Sequence, residues 1–150
     1  MPPRPTRRAA LIVAAALPVL AGCSGAPAYP ILATTAPAQV PEHIYATRAL
    51  EVTLSNPSSE PVLVEGGTIF SPYFERVDAV GIDVTLTPGD EAVVTLPLGV
   101  VTCPAGGGET TAQVVLEVGG EELLQSVTLE AKGLKALNRE ACAVIADDEA

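Results

Sequence analysis

The side chains best suited to covalent, metal or acid–base chemistry in this chain are three cysteines (Cys23, Cys103, Cys142), one histidine (His43) and eighteen carboxylates. A Ser-His-Asp site built on His43 would need a nucleophile and an orienting acid beside it, and no Gly-x-Ser-x-Gly elbow occurs. A single histidine without neighbouring ligands carries no metal signature, so His43 is expected to be a solvated residue. Gly106-Gly107-Gly108 is followed by Glu109 rather than by Lys-Ser or Lys-Thr, so it reads as a mobile loop and not a phosphate cradle. Asp78 and Asp83 could flank a substrate, and Asp90-Glu91 or Glu121-Glu122 could meet a calcium ion. Neither pattern has the spaced oxygen ligands of a calcium loop, and a solvated acidic face accounts for them. The expectation is therefore a non-enzyme, with no catalytic residue and no metal site. The cysteines remain, and their chemistry depends on what surrounds each.

Cys23 closes the stretch Leu20-Ala21-Gly22-Cys23. Ahead of it lie a basic start with Arg4, Arg7 and Arg8 and an apolar run, Ala9–Leu20. The run is shorter than the ~20 residues that span a bilayer. A basic start, a short apolar core and small residues before a cut make a secretory signal rather than a structural helix. With the cysteine in place, the segment resembles a bacterial lipoprotein signal, with residues 20–23 as its lipobox. The resemblance implies cleavage between Gly22 and Cys23 and a diacylglyceryl group joined to the Cys23 sulfur by a thioether. That covalent lipid is the one expected attachment, with no other cofactor. Thr6-Arg7-Arg8 leaves twin-arginine export open beside the general route.

Cleavage would leave Cys23–Ala150, enough for one domain. The removed segment holds three of eight basic residues and no acid, so five basic side chains would face eighteen acidic ones, a formal charge of −13. Nucleic-acid binding needs the opposite sign, and flat attachment to anionic lipid is equally disfavoured. The only methionine, Met1, would leave with the signal, which excludes a Met-rich copper site. Cys103 and Cys142 would be an even pair in an oxidising compartment, and a disulfide between them is expected.

Cys23–Pro41, punctuated by Pro27, Pro30, Pro37 and Pro41, reads as an extended tether of up to ~50 Å. From about residue 42 the pattern shifts to period-two runs: Leu50/Val52/Leu54, Ile82/Val84/Leu86, Val94/Leu96/Leu98, Ala112/Val114/Leu116/Val118 and Leu123/Gln125/Val127/Leu129, the last interrupted by its glutamine. Gly66-Gly67 suggests a bulge, Pro88-Gly89 a type II turn and Gly119-Gly120 a two-residue hairpin. The expected fold is all-β, a single Greek-key-type β-sandwich of about seven strands over 42–142. It resembles immunoglobulin-like domains in outline only, since no tryptophan is present. The cysteine pair is expected instead to tie the loop after the 92–98 strand to the terminal segment. Residues 133–142 fit a short helix or a final strand, and 143–150 an acidic tail.

Three of the five aromatic residues fall in Phe70-Ser71-Pro72-Tyr73-Phe74, with Arg76 close behind. Neighbours on a strand point to opposite faces, so at most one of Tyr73 and Phe74 can enter the core from a single strand. Either Phe70 and one of the pair fill the core while the other packs under a loop, or the other, with Arg76, is the candidate contact for a partner. The sequence thus points to a lipoprotein on the extracytoplasmic face of the cell membrane. It would be held there by lipid and would act as a binding or assembly module for an envelope protein. Two alternatives stay open: a carboxylate-based enzyme or accessory acting on envelope carbohydrate or peptide, and a small-ligand or metal-binding lipoprotein.

Overall fold

The fold is taken from a computed structural model that describes residues 29–148. The expected signal 1–22, the cleavage site Gly22/Cys23 and the lipid acceptor Cys23 lie outside the described residues.

Eight strands and two helices follow in order: β1 (Thr35–Gln39), α1 (Ile44–Thr47), β2 (Ala49–Ser55), β3 (Val62–Phe70), β4 (Phe74–Arg76), β5 (Asp78–Leu86), β6 (Glu91–Val101), β7 (Thr111–Val118), β8 (Glu121–Lys132) and α2 (Leu134–Asp148). The all-β expectation holds. All eight strands belong to one sheet in the order β4-β6-β2-β1-β8-β7-β3-β5. The sheet curls until β5 comes against β6, so its two halves face each other across one core. The chain crosses between halves on leaving each of β2, β3, β4, β5 and β6.

The period-two runs fill the core as their spacing requires. Leu50, Val52 and Leu54 on β2, Val94, Leu96 and Leu98 on β6, Ala112, Val114, Leu116 and Val118 on β7, and Val127 and Leu129 on β8 are all buried. Each fully buried aliphatic side chain stabilises the fold by about 1.5–3 kcal/mol. The double glycine does make a bulge: the register of β3 against β5 and β7 slips between Val64 and Gly66. A Cβ at Gly66 would lie 2.5 Å from the carbonyl oxygen of Ala79, so no larger residue fits without moving β5. Gly119 and Gly120 both take positive φ in the β7–β8 hairpin, and Gly89 does so in the β5–β6 turn.

Two expected boundaries are corrected. The described part of the supposed tether belongs to the domain. Ile31 and Leu32 are 1% and 0% exposed, and β1 lies between β2 (antiparallel) and β8 (parallel), joining the two halves of the sheet. Proline density suggested extended chain, and β1 is extended; what the density concealed is that the chain is paired. Pro37 is tolerated because pairing with β2 begins only beyond it, at Ala38↔Val52 and Gln39↔Glu51. At the other end, 134–148 is helix, which settles the choice between helix and strand. The expected acidic tail is, through Asp148, the exposed last turns of α2.

The strands give the domain two poles. Residues 29–33, the β2–β3 loop, the β5–β6 turn and the β7–β8 hairpin share one pole. Ala33 donates to the Ser55 carbonyl there, and Asn56 donates to that of Asp90. α1, β4, the β6–β7 loop and α2 share the other.

Candidate binding site beneath the C-terminal helix

α2 is fastened over the second pole by three kinds of contact. Leu134 and Leu137 bury one helical face against the sheet. Asn138, 5% exposed, donates from Nδ2 to the carbonyls of Tyr73 at 2.9 Å and Thr102 at 3.0 Å. Cys142 is joined to Cys103 in the β6–β7 loop, with S–S 2.01 Å and Cα–Cα 5.7 Å. The expected link between that loop and the terminal segment is therefore present, and it crosses 39 residues of sequence. The Tyr45 hydroxyl adds a contact from α1, donating to Glu140 Oε2 at 3.4 Å.

Between α2, α1 and the β4–β6 edge lies a cavity of ≈ 310 Å³. Its walls are Ile44, Phe74, Leu98, Val101, Leu137 and Ala141, with Tyr45, Arg48, Val100 and Ile145 toward its mouth. The lining is almost wholly apolar. Tyr45, Val100 and Ile145 are exposed at 71%, 62% and 40%, so an apolar patch continues out of the cavity onto the surface. Arg48 brings the one cation among these residues.

The aromatic segment behaves differently from the strand rule. Tyr73 and Phe74 are both half-buried and both pack against the core. Tyr73 precedes β4 and sits in the Ser71–Tyr73 turn, where Ser71 Oγ accepts from the Tyr73 amide at 3.1 Å, so alternation does not govern the pair. Phe74 forms part of the cavity wall. It also borders a shallow depression on the other side, with Phe70, Glu75 and Arg76. Arg76 is exposed and sets its guanidinium 6.0 Å from the centre of the Phe70 ring. Tyr73, Phe74 and Arg76 are thus brought to the α2 pole together, two of them as packing residues.

Three of the six acids singled out above accept local hydrogen bonds. Asp78 accepts from Thr68 Oγ1 at 2.6 Å, Glu91 from Ser55 Oγ at 2.7 Å, and Asp90 from the Thr87 hydroxyl. His43 is exposed immediately before α1. Among the described residues no three of His, Cys, Asp and Glu gather to hold a metal ion, and no helix is long and apolar enough to cross a membrane.

Sequence reasoning missed Arg48, Tyr45 and Ile145. The spacing of Leu134, Leu137, Ala141 and Ile145 is three, four and four, a helical stripe that could have been read had the segment been carried past residue 142. Nothing local marks Arg48, which reaches the site only because β2 and β6 pair there. Comparisons with protein-family models, curated proteins and solved structures found no match for the chain.

Proposed function

We propose that this protein is a lipid-anchored module of the bacterial cell envelope. Cys23 is its modified N-terminus, and the β-domain lies on the extracytoplasmic face of the membrane, where it binds an envelope protein. One observation carries the reading. Of three cysteines, two are joined to each other, and the third stands immediately after Leu20-Ala21-Gly22, behind an arginine-bearing start and a short apolar run. A lipoprotein cysteine and an exported disulfide belong to the same compartment.

Burial of Ile31 supports a closer attachment than the composition suggested. Seven residues, 24–30, separate Cys23 from that first core side chain, a reach of at most about 29 Å even when fully extended. The pole carrying residues 29–33 would then face the bilayer, and the α2 pole would face away. The outward surface would include Arg76 and Phe70, beside Tyr73 and Phe74, as the contact for a protein partner.

Cys23→Ala tests the anchor. The variant is expected to leave the membrane fraction, or to accumulate uncleaved, and to lose incorporation of labelled fatty acid entirely. A variant that resists a high-salt wash of the membranes while still carrying label would refute the reading.

A further inference from the structure

We propose that the cavity beneath α2 binds a single-chain amphipathic anion: one medium-length acyl tail inside, and a carboxylate or phosphate head at Arg48. The inference concerns the domain as a binding module and is independent of the lipid on Cys23.

Size and lining set the tail. A dry apolar cavity of about 150 Å³ takes one benzene, so ≈ 310 Å³ suits roughly ten carbons in a single chain. Phe74, Leu98, Leu137 and Ala141 offer that tail no hydrogen-bonding side chain. The apolar rim of Val100 and Ile145 gives it a path from solvent. An apolar pocket with an apolar mouth and few polar groups is the usual form of a small-molecule site.

Charge sets the head. Arg48 is rooted at the mouth by two backbone hydrogen bonds of 2.7 Å, its own amide to the Ile44 carbonyl and the Leu98 amide to its carbonyl. Its backbone takes the left-handed conformation, φ 45° and ψ 48°, a region costly for a residue with a Cβ. Among the described residues the guanidinium has no ion pair and no side-chain hydrogen bond. No acid is among the residues that line the cavity. Arg48 is thus an exposed cation whose backbone is fixed beside an apolar hole, which suits an anion attached to an apolar tail and disfavours a cationic amphiphile.

Isothermal titration of the full-length, oxidised chain carrying Cys23→Ala removes the protein's own acyl groups as a competing source. Decanoate should bind saturably at one site. Octanoate should bind roughly tenfold more weakly for its two missing methylenes, and decanol about tenfold more weakly for its missing charge. Decyl phosphate should match decanoate. Arg48→Gly suits the left-handed backbone, so it should fold at least as well as the parent, bring decanoate down to the level of decanol and leave decanol unchanged. Ala141→Phe, which fills the hole, should abolish binding of both. Absence of saturable decanoate binding to folded protein would overturn the proposal. Decanoate affinity unaffected by Arg48→Gly would also overturn it. So would self-association that buries the cavity and excludes decanoate, because the face would then belong to a second copy of the chain. A lipidation failure at Cys23 leaves every one of these readings unchanged, so the two proposals fail separately.

Discussion

Gln125→Leu should lower the stability of the domain by about 3–5 kcal/mol, the largest loss expected from any single substitution outside the disulfide. Gln125 is 1% exposed, in the middle of β8. Its Oε1 accepts from the amides of Ile31 and Leu32, both at 2.9 Å, and its Nε2 donates to the Leu32 carbonyl at 2.8 Å. One side chain therefore satisfies three backbone groups more than ninety residues away in sequence. Leucine has similar bulk and no partner for any of them. Each buried backbone group left unpaired costs about 1–3 kcal/mol. The alternative response is for residues 29–33 to peel away and recover water, which forfeits the burial of Ile31 and Leu32 at about 1.5–3 kcal/mol each. Either route gives a loss of several kcal/mol, and they differ in where it shows. Urea unfolding measures the total, and amide exchange at Ile31 and Leu32 reports peeling. A change below about 1 kcal/mol would mean that the clamp is not the main attachment of this segment.

The second large effect is loss of the disulfide. Replacing Cys103 and Cys142 together by serine should cost about 4 kcal/mol in the chain-entropy estimate for a loop of this length. For a domain of this size that corresponds to a melting temperature lower by roughly 15–25 °C. Three attachments of α2 survive the change: Leu134/Leu137, the Asn138 bonds to Tyr73 and Thr102, and the Tyr45 hydroxyl bond to Glu140. All lie before Ala141, so the loss of order should concentrate beyond it. Hydrogen exchange should rise in 141–148 and remain low in 134–138. Since Ala141 and Ile145 line the cavity, the same variant should weaken decanoate binding well before the sheet unfolds. In the native protein neither thiol should react with an alkylating agent until a reductant is added.

These two cases show what was legible in the sequence. Strands β2, β6 and β7 bury the very residues that period two marks, because alternation is a local property and the core is one-sided. Gln125 was legible as an anomaly: it interrupts the apolar face of β8, and a buried glutamine needs partners. Its partners were not legible. They are backbone groups of Ile31 and Leu32, and no side-chain pattern identifies a backbone amide. The same non-local pairing hid β1. A short segment with alternating small residues, Ala36 and Ala38, has too little hydrophobic contrast to outweigh four prolines. It becomes a strand because β2 and β8 supply edges on both sides of it. The disulfide followed from cysteine parity and compartment, while the cavity did not, since α1, β6 and α2 meet only through the curl of the sheet. Tyr73 and Phe74 mark the limit of the strand rule: the turn runs through Tyr73, so the strand begins at Phe74, one residue later than the alternation assumed.

The short reach between Cys23 and Ile31 ties the fold back to the anchor. If the chain is lipidated, that reach keeps the pole carrying residues 29–33 near the bilayer. Everything about the site's surroundings in the cell then depends on one covalent fact. Mass spectrometry of the N-terminal peptide from the native membrane fraction tests it directly. The prediction is a peptide that begins at Cys23 and carries the mass of a thioether-linked diacylglyceryl group. A peptide beginning at any other residue, or one beginning at Cys23 with no lipid on its sulfur, would contradict it.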